Sequence, residues 1–403
     1  MNFFTPILNH AQARPDAPAL IDGARTITYG ELGQVVRIFA GRLASLGVGR
    51  GDRVGIGLRD GWRHMAVMMA VGHMGAVIAQ VDARAKAHEK ARFADTMGLK
   101  LLLVEPGDPV ATDCPVIAVD DSWRVNQTTA TYEPCHDWNA PLLVSSTSGT
   151  TGEPRYTLAT HLQYYFRVAI LPEMPWPASQ LRYLSALPLC FAAGRGTAMM
   201  HFFRGDCVIQ MGSLFTAEEF IETVRRQGAT ATLVTPSTVR QLLLAARADG
   251  VLLPTLGWMI CGGGSLFAEE KRAAARLLTP NFFEFYGASA VGTIAILRPD
   301  RVAERAESVG QVNALIDDTR RQSRTATRGA PRLKNESLEA AAENLGLILQ
   351  YADRIDHAGA ATKLAGAAAV RPQFVLFDTH AHVDLAALGG RVQDVGKTPI
   401  PAV

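Results

Sequence analysis

The sequence has few of the features that mark secreted or nucleic-acid-binding proteins. Its five cysteines form no CxxC pair, which argues against a zinc knuckle and against a disulfide framework. Lys and Arg number 40 against 38 Asp and Glu, and the basic residues are scattered along the chain. Such a balance provides no electrostatic footprint for nucleic acid or for an anionic membrane, so we expect neither partner.

Long apolar runs are also missing. The most apolar stretch, Met65 to Val81, is interrupted by His73 and by glycines, and it falls short of the ~20 apolar residues that a membrane span needs. The first residues lack a basic segment followed by an apolar one, as a secretion signal would have. We therefore expect a cytoplasmic protein without integral membrane association. With 403 residues, 48% of them hydrophobic, the chain can bury a large core in two or more domains.

Two hydrophobic periods alternate along the chain. Apolar residues recur at helical spacing from Leu32 to Leu46, and short apolar runs such as "DRVGIGL", "GAVIAQV" and "ALPLC" have the length of strands. The same alternation continues to about residue 289. Strand, helix and strand in this order predict an α/β fold with a mostly parallel sheet covered by helices.

The stretch from Val144 to Arg155, "VSSTSGTTGEPR", is rich in hydroxyl groups and poor in bulky side chains. One interpretation is a turn, because Ser, Thr, Gly and Pro are the usual loop residues. The other is a phosphate cradle, in which glycines let the backbone approach an anion and hydroxyls donate to its oxygens. The stretch alone leaves both open.

At every position this stretch resembles the phosphate-binding signature of the adenylate-forming acyl-CoA synthetases, also called AMP-binding enzymes. Further segments resemble that family in the expected order, among them "ITYGELGQVVRIFAGRLASLGVGRGDRVGI", "THLQYY", "LPLCFAAG", "TLVTPS", "MICGGGSLF" and "FEFYGAS". An ordered set of motifs is far more specific than any one of them. The resemblance implies the family's large N-terminal domain, an α/β fold of mixed sheets flanked by helices, over residues 1–300.

Beyond this domain the resemblance weakens. Residues 301–373 are divergent, and 374–403 resemble only the segment before the family's hinge, so we expect its C-terminal domain to be missing. In the divergent part, Asn335 to Arg354 has the period of an amphipathic helix where the family has sheet. A frameshifted or degenerate segment is one explanation.

The resemblance implies an acid–CoA ligase activity. A carboxylic acid would be activated by ATP to an acyl-adenylate and then joined to a thiol, so the implied cofactors are ATP, Mg²⁺ and CoA. The implied partners are a small carboxylic acid and the nucleotide. The identity of the acid, the thiol acceptor and the oligomeric state do not follow from the sequence.

By the same resemblance, three groups of residues have roles. The catalytic group is Thr150, Thr151, Arg155 and Ser289. The nucleotide-binding group is Thr147, Ser148, Gly149, Gly152, Gly262, Gly263, Gly264, Tyr286, Gly287 and Arg391. The acyl pocket is lined by Cys190, Phe191 and Gly194. For the glycines after Cys261 the alternative is an ordinary turn, and for Tyr286 and Phe191 it is a place in the core.

Departures from the family pattern put activity in doubt. Ala290 stands where the family has a glutamate that helps to hold Mg²⁺, and no other metal ligand is identifiable. Unless Glu284 or another acid substitutes, we expect weak metal-assisted adenylation. Arg155 replaces the usual lysine, which keeps the charge and changes its shape. An impaired ligase and a non-catalytic nucleotide- or acyl-binding remnant both fit these departures.

A different class is suggested by "FDTHAHVD" near the end of the chain. His380 and His382 have the spacing of the metal site of amidohydrolase-like enzymes, in which two histidines on one strand share a metal. Such a site needs further ligands downstream, and two solvated histidines are the simpler interpretation. A metal-dependent hydrolase fragment is thus a remote alternative.

Overall fold

The computed structural model describes residues 2–125, 130–147, 155–165, 167–168, 180–247, 250–288 and 292–312. These residues divide into two compact units. The first unit has its described residues within 2–165 and Ser185–Ser213, and the second has them within 167–184 and 214–312.

Strands and helices alternate from the start of the chain. Up to residue 165 the elements are α1 Thr5–Ala13, β1 Pro18–Asp22, β2 Arg25–Thr28, α2 Tyr29–Ser45, β3 Arg53–Gly57, α3 Trp62–His73, β4 Val77–Gln80, α4 Ala87–Met97, β5 Leu101–Val104, β6 Val116–Ala118, a 3₁₀ turn Asp121–Arg124, β7 Pro141–Thr147, β8 Arg155–Thr160 and α5 His161–Tyr165. From residue 180 they are β9 Arg182–Ser185, α6 Ala192–Arg204, β10 Cys207–Gln210, α7 Ala217–Gln227, β11 Ala231–Val234, α8 Pro236–Ala245, β12 Trp258–Cys261, α9 Ala268–Ala273, a π turn Ala274–Leu278, β13 Phe282–Ala288, β14 Gly292–Leu297, α10 Pro299–Arg305 and β15 Gln311–Val312.

The first unit contains a six-stranded sheet with the order β6-β5-β3-β4-β7-β8. Its first five strands pair in parallel, and β8 runs antiparallel to β7. In the same unit β1 pairs in parallel with β10 and antiparallel with β2. In the second unit the strand order is β15-β14-β13-β12-β11-β9, with β11, β12 and β13 parallel and β14 and β15 antiparallel. The predicted α/β class with mixed sheets is confirmed.

Local sequence explains where the helices begin. Thr28 and Glu31 form a reciprocal capping box at the start of α2, with N–H···O distances of 3.2 Å and 2.9 Å. The apolar face of α2 is buried, as its spacing predicts. The apolar stretch from Met65 forms the buried helix α3, which turns into β4 through Gly75 at a φ of 82°. None of the described helices is long and apolar enough to cross a membrane.

The strand expected over "ALPLC" is wrong. β9 ends at Ser185, before this segment. The backbone groups of Leu189 are occupied elsewhere, because its N–H donates to Asp60 Oδ1 at 2.7 Å and its carbonyl accepts from Arg195 Nη1 at 3.2 Å. Pro188 has no N–H to donate to a ladder. The segment is therefore a turn that leads into α6.

Candidate functional site

The hydroxyl-rich stretch joins two antiparallel strands of the first unit. Thr147 is the last residue of β7, Arg155 is the first of β8, and the two residues are paired across the strands. The next element that the structure describes is the strand β8. The positions Ser148, Gly149, Thr150, Thr151 and Gly152 lie outside the described residues.

Carboxylates follow two neighbouring strands of the same sheet. Asp60 comes three residues after β3 and Asp82 two residues after β4, at the edge where β7 ends. The carboxylate of Asp60 accepts a hydrogen bond from the Leu189 N–H. Asp82 binds the guanidinium of Arg84, with distances of 3.0 Å and 3.1 Å from its two oxygens. The residue types in "VDARA" could have indicated a polar site here, but sequence reasoning missed both Asp82 and Arg84.

Of the three residues expected to line an acyl pocket, Cys190 and Phe191 lie in the turn before α6 and Gly194 lies in the first turn of that helix. The Phe191 side chain is 56% exposed, so its interpretation as a core aromatic is wrong. Fully buried Arg195 donates to the carbonyls of Leu189 and Cys190, at 3.2 Å and 2.9 Å, and so fixes the turn. A Cβ on Gly194 would lie 2.5 Å from the Pro188 carbonyl oxygen, which explains why no side chain is tolerated there.

Cys190 is held as a neutral thiol. Its pKa is raised to about 12, chiefly by burial and further by the carboxylates of Asp82 and Asp60. The thiolate is the reactive form of cysteine, so Cys190 is not poised as a nucleophile at neutral pH. A role as part of a pocket wall remains a prediction.

In the second unit the triple glycine follows β12, and each glycine has its own structural context. A Cβ on Gly262 would lie 2.0 Å from Cε1 of Phe285, so this glycine makes room for the protein's own aromatic ring. Gly263 has a φ of 81° and nothing within 4 Å of its Cβ position, whereas a Cβ on Gly264 would lie 3.3 Å from Pro236 Cγ. A flat ligand could therefore contact the backbone at Gly263 and Gly264 more readily than at Gly262, where the Phe285 ring fills the space.

β13 carries Tyr286 and Gly287. Tyr286 is half-buried, and the pairing of β13 with β14 shifts register between these two residues. Such irregularities re-aim side chains at the end of a strand. Ser289, Ala290 and Arg391 lie outside the described residues, as do the stretch Asn335–Arg354 and the pair His380 and His382.

Glu284 does not replace the glutamate that the family has at the position of Ala290. Its Oε2 lies 2.5 Å from Lys271 Nζ, and both side chains are only 4% exposed. Burial raises the pKa of Glu284, and the ion pair with Lys271 only partly opposes this. The described residues also contain no group of three or more His, Cys, Asp or Glu suited to a metal ion. These residues therefore do not fit a Mg²⁺ held by protein carboxylates.

Known proteins resemble this chain over most of the described part. Fatty acid–[acyl-carrier-protein] ligase ScoC from Streptomyces coeruleorubidus is 25% identical over 307 residues, which are 72% of this chain and 59% of the relative. 2-Succinylbenzoate–CoA ligase from Bacillus licheniformis is 25% identical over 323 residues, 75% of this chain and 63% of the relative. The chain thus spans about three fifths of the length of these curated relatives.

Solved structures share the fold. O-succinylbenzoate coenzyme A synthetase (MenE) from Bacillus subtilis, in complex with ATP and a magnesium ion, matches with a TM-score of 0.69 and 22% identity over 76% of this chain and 65% of that one. The N-terminal subdomain of NpsA from Klebsiella oxytoca, in complex with 3-hydroxyanthranilyl-AMSN, matches with a TM-score of 0.66 and 19% identity over 73% and 76%. The family model of the AMP-binding enzymes matches residues 7–342. The strand order, the motif order and this match together show that the chain belongs to the family of AMP-binding enzymes.

Proposed function

We propose that the protein binds ATP and a carboxylic acid, forms an acyl-adenylate and transfers the acyl group to the thiol of CoA. The observation that carries this proposal is the pairing of Thr147 with Arg155 at the two ends of the hydroxyl-rich stretch. The sequence between these two paired positions is rich in hydroxyl groups, and Arg155 adds a cationic residue at its end. In adenylation a carboxylate attacks the α-phosphate and pyrophosphate leaves, so preorganised donors at the phosphates supply most of the catalysis.

The resemblance to the family would give each motif its own part of the binding. Thr147, Ser148, Gly149, Thr150, Thr151 and Gly152 with Arg155 would hold the phosphates, and Ser289 and Arg391 complete the residues expected at the nucleotide. The backbone at Gly262, Gly263 and Gly264 would support the adenine, with Tyr286 and Gly287 beside it. Cys190, the exposed ring of Phe191 and the close turn at Gly194 would border the acid. The two relatives named above act on fatty acids and on 2-succinylbenzoate, so the class of acid is best sought among fatty and aromatic carboxylic acids.

The thiol acceptor has two candidates of different size. One relative is a ligase for acyl carrier protein and another is a CoA ligase. We propose CoA because the basic residues are scattered along the sequence, whereas an acidic carrier protein is typically recognised by a block of them. Product analysis with CoA and with a carrier protein in parallel distinguishes the two.

A second function, nucleotide binding without catalysis, is favoured by one observation. Glu284 has the carboxylate that is nearest to Ala290 along the chain. That carboxylate forms an ion pair with Lys271 and is therefore unavailable to a metal. Mg²⁺ would neutralise charge on the phosphates as part of the ATP substrate, and the protein would add little to hold it.

Carboxylate-dependent exchange between ATP and labelled pyrophosphate tests the proposed function. A panel of fatty and aromatic acids is assayed with the wild type and with Ala290→Glu. The ligase proposal predicts slow exchange with at least one acid and faster exchange in the variant. ATP binding with no exchange in either protein would support the second function, and absence of ATP binding by a folded sample would overturn both.

A further inference from the structure

The chain forms a tight turn directly after β4. The Ala85 N–H donates to the Asp82 carbonyl at 3.0 Å, and the carboxylate of Asp82 accepts from the Arg84 N–H at 2.9 Å. An aspartate that bonds to the backbone two residues ahead stabilises such a turn. The conformation of residues 82–85 is thus specified by their own sequence.

A buried ion pair between Lys90 and Asp108 stabilises this turn. Lys90 of α4 donates from Nζ to the Ala83 carbonyl at 2.7 Å and pairs with Asp108, which follows β5. The Lys90 side chain is 3% exposed. A buried ammonium is costly unless it is paired and fully hydrogen-bonded, and here part of its bonding serves a turn at the protein surface. The turn is therefore fixed to α4 and to the segment after β5.

The turn at residues 82–85 carries one arginine, Arg84, which is exposed. Arg84 donates from Nε and Nη2 to the two oxygens of Asp82 and is about half exposed. A guanidinium has five N–H donors, and within the described part of the chain Nη1 of Arg84 makes no hydrogen bond or ion pair. Because Asp82 holds one edge of the planar group, the other edge keeps a fixed direction, as bidentate recognition of an anion requires.

Strand pairing brings β4, which leads into this turn, beside β7, which leads into the hydroxyl-rich stretch. β4 and β7 run parallel, with Ile78 opposite Leu143 and Ala79 opposite Val144. β4 ends at Gln80 and β7 ends at Thr147, so Asp82 and Thr147 both lie at the carboxyl edge of the sheet. Ligands of open parallel sheets bind outside the carboxyl ends of the strands, which is the edge shared by Asp82 and Thr147.

We propose that Arg84 is a phosphate-binding residue that contacts the β- and γ-phosphates of ATP through its free Nη1 edge. The proposal rests on the proposed function, because it assumes that ATP is the ligand at this edge. It adds a second cation, from the turn after β4, to the charge of Arg155. Lys90 and Asp82 act through Arg84 as positioning residues.

Calorimetric titration of the full chain with ATP, AMP and adenosine tests this role. Arg84→Met should weaken ATP by roughly 10- to 100-fold, the range expected for a lost charge-assisted hydrogen bond, while adenosine changes less than twofold. Arg84→Lys keeps the charge without the fork and should recover part of the ATP affinity. Lys90→Met should weaken ATP by a smaller factor, because it loosens the turn and keeps the guanidinium.

Arg50→Met is the matched control. Arg50 also forms an exposed ion pair with an aspartate, Asp137, at 2.7 Å, but it precedes β3 and lies at the opposite edge of the same sheet. This variant should leave the ratio of ATP to adenosine affinity unchanged. If the wild type binds ATP and Arg84→Met has the same ratio as the control, the role of Arg84 is overturned and the proposed function stands. If the wild type does not bind ATP, the proposed function itself fails.

Discussion

The two units each contain a buried lysine–carboxylate pair, and the pairs are used differently. In the first unit Lys90, which is paired with Asp108, donates to the Ala83 carbonyl of a surface turn. In the second unit Lys271 binds the carboxylate of Glu284 and donates to the Ser308 carbonyl at 2.9 Å. The first pair positions an exposed cation, whereas the second removes an acid that could otherwise serve a metal. The same chemistry thus adds a candidate site residue in one unit and removes one in the other.

The largest expected effect comes from breaking these pairs one at a time. Lys271→Met leaves Glu284 buried without its partner and should lower the free energy of unfolding by about 3–5 kcal/mol. Lys90→Met should cost less, because Asp108 is 11% exposed and can regain water more readily than Glu284 at 4%. Urea unfolding of both variants measures the difference.

Two further results sharpen this prediction. The Lys271→Met defect should shrink as the pH is lowered, because burial raises the pKa of Glu284 and Lys271 no longer opposes that rise, so the unpaired carboxyl takes up a proton more readily. Lys271→Met with Glu284→Leu should recover most of the loss, since a buried pair is often replaceable by apolar residues. Equal losses of unfolding free energy for Lys90→Met and Lys271→Met would show that the different burial of Asp108 and Glu284 does not affect the cost of breaking each pair.

Acid should destabilise the first unit more than the second. Every histidine among the described residues lies in the first unit, and the pKa values of His73 and His161 are both lowered to about 4, chiefly by burial. Between pH 4 and the unfolded value of 6.5 the unfolded state binds more protons, so stability rises with pH across this window and is fully present above it. Each histidine should cost about 2 kcal/mol at pH 5 relative to pH 7.

Pulsed hydrogen exchange after urea treatment at pH 5 and pH 7, with labelling at one common pH, separates peptides of the two units. We expect the first unit to lose protection at lower urea when the protein is at pH 5. Equal shifts in both units would contradict the assignment of the pH dependence to His73 and His161.

The smallest effects concern a glycine in each unit. Gly194→Ala places a Cβ against backbone carbonyl oxygens at 2.5 Å and 2.8 Å, which cannot turn aside. Gly262→Ala meets the ring of Phe285, which is a side chain and can rotate. Overpacking typically costs about 1–3 kcal/mol, and we place Gly194→Ala at the upper end and Gly262→Ala at the lower. Thermal unfolding of the two variants checks the order.

The sequence predicted the fold well because its signals are local. Helical spacing from Leu32 to Leu46 identified α2, and the short apolar runs identified β3 and β4. The candidate site was predicted only in part, because its geometry depends on contacts between residues that lie far apart in the sequence. Nothing around Gly262 in the sequence shows that Phe285 fills its space, and nothing around Arg84 shows that β4 pairs with β7. The core interpretation of Phe191 was wrong because a turn held by Arg195 exposes it.

We expect the hydroxyl-rich stretch to bind the phosphates of ATP. Calorimetry with ATP and adenosine, on the wild type and on Thr150→Ala with Thr151→Ala, tests it most directly. Loss of two hydroxyl donors at about 1 kcal/mol or more each should weaken ATP by roughly tenfold or more and leave adenosine almost unchanged. Equal ATP affinity in a folded double variant, or a parallel loss for ATP and adenosine, would contradict the account.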